Sequence, residues 1–372
     1  MIPYGKQNIS NLDIEEVVEV LKGDWLSTGP AIETLEKDLE GFTGGTPTVA
    51  VSSGTAALHS AYKAAGIQPG DEVITPSNTF IATQAAAAMC GAKIVFADIL
   101  MDTGNIDPVQ IETKINSRTA AVVAVDYAGH PADLTEIRQI CDKNKILFIE
   151  DASHSLGSVY YGQPVGRIAD LTTFSFFPTK NITTGEGGAV ASRNEEFLKK
   201  VKIFSRQGLI RNTQDFLLEA DGPWHQEVHE FGVNYRLTDF QAALGSSQLK
   251  RLGDFKIRRQ EMHNLYCSRL KELELIRLPI TKGNVSPFWH LFSVLVPEKS
   301  RLDLYNYLRN LEVNVQVNYF PAHLHPVFKN QIDYPLENTI NFYKRQISLP
   351  LYIGLTDDEI HQISDLILGF YL

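Results

Sequence analysis

Between residues 48 and 191 the chain alternates short, almost wholly apolar runs with stretches of helical periodicity. "TVAV" precedes "GTAALHSAYKAAG", "DEVITP" precedes "FIATQAAAAMCG", "AKIVFADI" precedes "DPVQIETKI" and "TAAVVAVDY" precedes "DLTEIRQICDKN". "KILFIED" then leads to "DLTTFSFF" and "GGAVAS", which makes seven such runs. A strand that is apolar at successive positions has no face to offer water, so both faces must be covered. The intervening helices supply that cover. The pattern therefore predicts an α/β fold with a mostly parallel seven-stranded sheet wrapped by helices. Ligands of such sheets bind beyond the carboxyl ends of the strands, where the loops converge.

The pattern changes near residue 250. "FGVNYRLTDFQAALGSSQLKRLGDFKIRRQEMHNLYCSRLKEL" reads as two consecutive helices around Gly253. A smaller mixed segment follows, with strands expected in "HLFSVLV" and "VNVQVNY" on either side of the helix "RLDLYNYLRNL". A chain of 372 residues is long for one minimal domain. The expected division is a large α/β domain over 1–250, including the N-terminal segment, and a smaller α+β domain over 251–372. The segment "NTQDFLLEADGPWHQEVHEFG" reads as a long loop, a kind that is usually functional or mobile.

A formal net charge of −10 argues against a nucleic-acid or anionic-membrane surface, since both require a basic patch. The longest apolar run, "AAAAMCGAKIVFA", is broken by Gly91 and Lys93 and is too short to cross a bilayer. No signal peptide is visible in "MIPYGKQNIS". Cys90, Cys141 and Cys267 form no CxxC pair and read as reduced thiols. The expectation is a cytoplasmic protein.

Three strand ends carry chemistry. "SSGTAAL" puts Ser52, Ser53, Gly54 and Thr55 at the start of a helix, where exposed N–H groups and hydroxyls suit a phosphate; Ser and Thr are equally good simple helix caps. "IEDASHSLGS" ends an apolar run on Glu150 and Asp151, with His154 three residues further on. A carboxylate there needs a cation or donor, or else it caps a helix. In "FSFFPTKNITTGEGGAV", Lys180 stands between a buried strand and a glycine-rich turn. A desolvated lysine is nucleophilic toward carbonyls. A phosphate cradle, a carboxylate and an amine together are what pyridoxal 5′-phosphate requires.

"EDASHSLGSVYYG", "TTFSFFPTKNITTGEGGAV" and "GVNYRLTDFQAALGSSQLKRL" resemble signature segments of the DegT/StrS-type nucleotide-sugar aminotransferases, which are fold-type-I pyridoxal-phosphate enzymes. The resemblance extends from "MIPYGKQ" through "WLSTGP" and "AVSSGTAALH" to "SLPLYIGLTDDE", nearly the whole chain. "DASHSLGS", "DGPWHQE" and "VDYAGHPAD" favour the branch that serves pseudaminic-acid synthesis; many relatives carry glutamine at the position of His154.

The resemblance implies the following roles. Lys180 binds the cofactor aldehyde as an imine, and Asp151 pairs with the pyridinium nitrogen. His154 lies beside the phenolic oxygen and Phe80 stacks on the ring. Thr55, Ala56 and Ser175 bind the phosphate, and Asn234 reaches it from the second subunit of a homodimer. Tyr4, the segment Trp25, Leu26, Ser27 and Thr28, and the segment Asn318, Tyr319, Phe320 and Pro321 hold the nucleotide sugar. Relatives often read His-Tyr-x-Pro where this chain has Asn318-Tyr319-Phe320-Pro321, although an amide can still donate a hydrogen bond.

The implied reaction is ping-pong transamination from L-glutamate to a UDP-linked 4-keto sugar, UDP-2-acetamido-2,6-dideoxy-β-L-arabino-hex-4-ulose. Related dehydratases replace the lysine with histidine, so Lys180 points to a transaminase. Competing readings are a different nucleotide keto sugar, a non-catalytic pyridoxal-phosphate-binding regulator, a nicotinamide oxidoreductase and a metal hydrolase. "GEGGAV" lacks the G-x-G-x-x-G spacing of a dinucleotide site. In "HQEVH", helical spacing puts His225 and His229 on one face and turns Glu227 away, unlike H-E-x-x-H. No metal is expected.

Overall fold

The computed structural model describes residues 1–329, 332 and 334–371. Its main sheet has the strands β1 (Thr48–Val51), β2 (Glu72–Pro76), β3 (Lys93–Ala97), β4 (Thr119–Val125), β5 (Leu147–Asp151), β6 (Leu171–Ser175) and β7 (Gly188–Ala191). Their spatial order is β1-β7-β6-β5-β4-β2-β3. Only β7 runs against its neighbours β1 and β6; the other pairs are parallel.

The apolar runs are explained by cover on both sides. Val73, Val123 and Ile149 join the cluster under the helices Gly54–Ala64 and Ala82–Met89, while Ile74, Val122 and Phe148 join the cluster under Leu134–Asn144. Successive residues of a strand point to opposite faces, so both sets must be apolar. Each fully buried side chain of this size stabilises by roughly 1.5–3 kcal/mol relative to exposure.

All strand directions except that of β7 agree, so the loops after β1, β2, β5 and β6 open on one edge of the sheet. Two glycines let β7 and the first helix close on that edge. A Cβ on Gly188 would lie 2.5 Å from the carbonyl oxygen of Ser53, and one on Gly54 would lie 2.7 Å from Ser175 Cβ. Neither position has room for any side chain.

Two helices precede the sheet, Asn11–Lys22 and Pro30–Phe42. Ser10 caps the first through a capping box with Asp13. The Asp13 carboxylate is buried and bonded by Ser247 Oγ at 2.7 Å, Gln248 Nε2 at 2.8 Å and the Arg251 guanidinium.

The two expected consecutive helices are Asp239–Leu249 and Leu252–Leu270. The break falls at Lys250–Arg251; Gly253 sits inside the second helix with open space around it. Leu252 and Phe255 pack toward the sheet, whereas Met262, Tyr266 and Leu270 pack in a separate cluster with Phe292, Val294, Leu304 and Ile2. This helix thus joins the two cores.

"HLFSVLV" supplies β8 (Phe292–Leu295), antiparallel to β9 (Gln346–Leu349). The expected strand in "VNVQVNY" is absent; only single bridges join Val313 to Ile2 and Gln316 to Ser348. The ladder stops because the Gln346 side chain takes the Asn318 amide at 2.8 Å, and the chain turns toward the sheet edge. Among the described residues no helix is long and apolar enough to cross a membrane.

Candidate active site

At the carboxyl edge of the sheet lies a cavity of about 450 Å3. It brings together Thr55, Phe80, Asp151, His154, Ser175 and Lys180 with Tyr4, Asn318 and Tyr319. These residues come from the loops after β1, β2, β5 and β6, the N-terminal segment and the stretch before "PAH". The other named residues lie elsewhere. Ala56 is buried on the first helical turn, and its N–H donates to Ser53 Oγ at 3.0 Å. Asn234 is exposed, as are Trp25 and Leu26, while Ser27 bridges to Thr238 and Thr28 has a φ of 62°. Phe320 packs edge-on against His325 and Tyr343, and Pro321 is buried beside it.

Asp151 ends β5 and is buried. Its Oδ2 accepts from Thr83 Oγ1 at 2.8 Å, and its Oδ1 accepts from Ser153 Oγ at 2.6 Å and Ser153 N–H at 3.2 Å. The carboxylate is thus fixed by neutral donors with no ion pair among the described residues. Its neighbour Glu150 points to the other face, where Thr172 Oγ1 donates to it at 2.9 Å. Burial raises the Glu150 carboxyl to about 7, and burial together with the charge of Glu150 raises Asp126 well above an ordinary carboxylate. Burial thus shifts both carboxyl groups toward the protonated form.

Lys180 is half-buried in the turn after β6, and its amine makes no hydrogen bond among the described residues. Burial lowers it to about 8, although the charge of Asp151 pulls the other way. Next to it, Asn181 Nδ2 donates to the carbonyls of His154 and Leu156 at 3.1 and 2.8 Å, which locks the lysine turn to the loop after β5. His154 is 5% exposed. Its Nε2 meets Tyr319 Oη at 3.0 Å and its Nδ1 has no protein partner. Burial, then Lys180, push its imidazole well below the usual range.

Asn318 adopts a defined polarity. Its Oδ1 accepts from Tyr4 Oη at 2.8 Å and its carbonyl accepts from Tyr127 Oη at 2.7 Å, so the NH2 group is its side-chain donor, and it interacts with the Tyr319 hydroxyl. Phe80 is 59% exposed and stands 6.0 Å from the Tyr319 ring at the cavity mouth. Sequence reasoning missed Thr83, Ser153 and His290, which also line this cavity. Thr83 carried a usable signal, being one helical turn beyond Phe80. His290 carried none, since "FWHLF" reads as core.

"HQEVH" is not helical. Glu227–Val228 is a short strand paired with Leu209–Ile210. Alternation along an extended chain turns all three side chains the same way, and Glu227 accepts from His225 Nε2 at 3.2 Å and His229 Nε2 at 2.5 Å. The amides of Leu217 and Leu218 complete its partners, both at 2.8 Å. Among the described residues no cluster could hold a metal ion.

The cavity suits pyridoxal phosphate on its own terms. The helix N-terminus at Gly54, capped by Ser53, lines the cavity and offers positive potential to a phosphate. Asp151 offers a fixed carboxylate, Lys180 an unpaired amine and His154 an unpartnered nitrogen.

The sequence profile of the DegT/DnrJ/EryC1/StrS aminotransferase family matches residues 7–368. The chain is 37% identical over 370 residues to the spore coat polysaccharide biosynthesis protein SpsC of Bacillus subtilis, covering 97% of this chain and 95% of the other. It is 36% identical over 359 residues to the UDP-4-amino-4,6-dideoxy-N-acetyl-beta-L-altrosamine transaminase of Campylobacter jejuni, covering 95% and 93%. Among solved structures, Helicobacter pylori PseC, an aminotransferase involved in the biosynthesis of pseudoaminic acid, superposes with a TM-score of 0.93 at 31% identity, covering 99% and 98%. The chain belongs to the DegT/DnrJ/EryC1/StrS aminotransferase family, as a fold-type-I transaminase whose cofactor is pyridoxal phosphate.

Proposed function

We infer that this transaminase moves the amino group of L-glutamate to C4 of a UDP-linked 4-keto-6-deoxy-N-acetylhexosamine, with UDP-2-acetamido-2,6-dideoxy-β-L-arabino-hex-4-ulose as the acceptor. The observation that carries the reading is the convergence of Lys180, Asp151 and His154 in one cavity. The likeness to a transaminase named for a UDP-4-amino-4,6-dideoxy sugar supports the acceptor. Amination of a keto carbon is the step that leaves such a product.

Bound in the cavity, pyridoxal phosphate supplies an aldehyde for the migrating amino group and a ring that spreads negative charge. Thr55 and Ser175, with Ala56 on the first helical turn, hold the phosphate. Asp151 faces the ring nitrogen and keeps it protonated, a charge match that Thr83 and Ser153 hold ready. Phe80 covers one ring face and His154 stands at the phenolic oxygen.

Lys180 would hold the cofactor aldehyde and, once the incoming amine had displaced it, would serve as the base. In the first half its Nζ removes the proton from Cα of glutamate, which leaves as 2-oxoglutarate. In the second half the same nitrogen returns a proton to C4 of the sugar. Tyr4, Asn318 and Tyr319 line the sugar end of the cavity, and the NH2 of Asn318 is a donor where relatives have an imidazole.

The enzyme is read as a cytoplasmic homodimer. Trp25, Leu217, Leu218, Trp224 and Phe231 are all more than half exposed, the last at 95%, which supports burial against a second copy. Asn234 lies on the same outer surface and reaches the partner's phosphate in this reading, and the segment Trp25 to Thr28 faces the partner's nucleotide. Incubation with glutamate and a panel of UDP- and dTDP-keto sugars, with NMR of the product, tests the acceptor. The reading predicts an axial or equatorial amine at C4 only from the L-arabino sugar. Turnover of the D-gluco 4-keto sugar alone would move the enzyme to another branch.

A further inference from the structure

His290 is 6% exposed, lines the cavity and packs against His154, their ring centroids 4.3 Å apart and tilted by 32°. The His154 ring also lies 6.1 Å from that of Tyr319, at 27°, and is hydrogen-bonded to its hydroxyl. The backbone of His290 is gripped from behind. Arg259, on the helix Leu252–Leu270, is 4% exposed, and its Nη1 donates to the carbonyls of Trp289, His290 and Leu351 at 3.1, 3.2 and 3.1 Å. Among the described residues this guanidinium has no carboxylate partner.

We propose that His290 and Arg259 are positioning residues for His154: Arg259 pins the His290 backbone, and the His290 ring holds His154 neutral with Nε2 toward Tyr319 and Nδ1–H toward the bound ligand. The inference rests on the aminotransferase reading of this cavity.

Arg259, His290, His154 and Lys180 are four basic groups near Asp151; Glu186 also lines the cavity, and Tyr4, Tyr127 and Tyr319 are the titratable hydroxyls beside them. Each further proton on an imidazole there would face like charges in a site that solvent reaches poorly. Burial drives His290 well below the ordinary histidine range, and His154, Lys180 and Arg259 add to that. Burial holds the Tyr319 hydroxyl well above its usual range, so it keeps a proton that it can donate to His154 Nε2, 3.0 Å away, and the proposal assigns it that direction. A neutral imidazole that accepts at Nε2 carries its proton at Nδ1. That nitrogen has no partner among the described residues, and neither has His290 Nδ1. The stack prevents the ring flip that would bury the donor against Tyr319.

The test compares the wild-type holoenzyme with His290→Phe and His290→Ala, and with Arg259→Met where that variant folds. Ring-15N histidine NMR reads the tautomer of His154, and steady-state kinetics read kcat and KM across pH. Phenylalanine keeps a flat ring, so His290→Phe should retain kcat within about threefold and leave the single His154 tautomer intact. His290→Ala should lose roughly tenfold or more in kcat with little change in KM, and its His154 signal should become a tautomer mixture or titrate upward. Equal losses in the Phe and Ala variants would overturn the proposal, because the nitrogen itself would then be at work. An unchanged His154 signal in His290→Ala would overturn it as well. Failure of the wild-type enzyme to aminate any keto sugar would count against the functional reading and leave the NMR comparison standing.

Discussion

Replacing Lys180 with methionine should stabilise the cofactor-free protein at neutral pH. Burial takes this lysine from an ordinary 10.5 to about 8. At about 1.4 kcal/mol for each tenfold change in proton affinity, the folded state is penalised by about 3 kcal/mol for a charged amine here. The side chain is only half-buried, and solvent screening trims the expected gain to about 2 kcal/mol. The sign follows from proton counts. Between about 8 and about 10.4 the unfolded chain holds the proton that the folded chain has released, so wild-type stability rises with pH through that window. Methionine has no proton to exchange, so the gap between variant and wild type should narrow from pH 7 to pH 9.5. Urea unfolding of both apoproteins at equal concentration measures it. A variant no more stable than wild type at pH 7, or a gap that widens with pH, would refute the idea that the site holds a desolvated amine.

Gly54→Ala places a methyl 2.7 Å from Ser175 Cβ. It should cost about 1–3 kcal/mol in stability by thermal denaturation and weaken cofactor binding in a fluorescence titration. Thr83→Val removes the 2.8 Å donor to Asp151 Oδ2. It should cost about 1–2 kcal/mol, and steady-state assays should find kcat reduced more than KM. Glu227→Gln should speed hydrogen exchange at the Leu217 and Leu218 amides roughly tenfold, because partial burial of that carboxylate is outweighed by hydrogen bonds from His229, those amides and His225, which hold it down to about 2. In the wild type this protection should persist above about pH 4.3 and fade as pH falls toward 2.

The sheet was legible because a doubly covered strand has to be apolar throughout, and Val73 to Ile74 or Val122 to Val123 can serve opposite cores only on that condition. The lysine turn was legible through its setting: Lys180 stands between the buried run "FSFF" and a glycine-rich turn, at the same sheet edge as Asp151 and Thr55. The sequence reading left residues 11–42 unassigned, although Ser10 with Asp13 is a helix-start pattern and Pro30 is a favoured first helical residue. "HQEVH" misled because His at i and i+4 suits a helix, whereas a strand period also brings Glu227 between both rings. "VNVQVNY" misled because strand propensity does not reveal that a side chain, Gln346, ends the ladder. Thr83 is 68 residues from Asp151 and joins it only through the fold. His290 and Arg259 sit in runs that look like ordinary core and ordinary helix, so their convergence on His154 is a property of packing alone.

The central claim is that the amine of Lys180 holds pyridoxal phosphate and performs the proton transfers. Borohydride reduction of the purified holoenzyme, followed by proteolysis and mass spectrometry, tests it most directly. The account predicts one pyridoxyl phosphate adduct, on the peptide containing Lys180. An adduct on another lysine, or an active enzyme from which no adduct can be recovered, would contradict it.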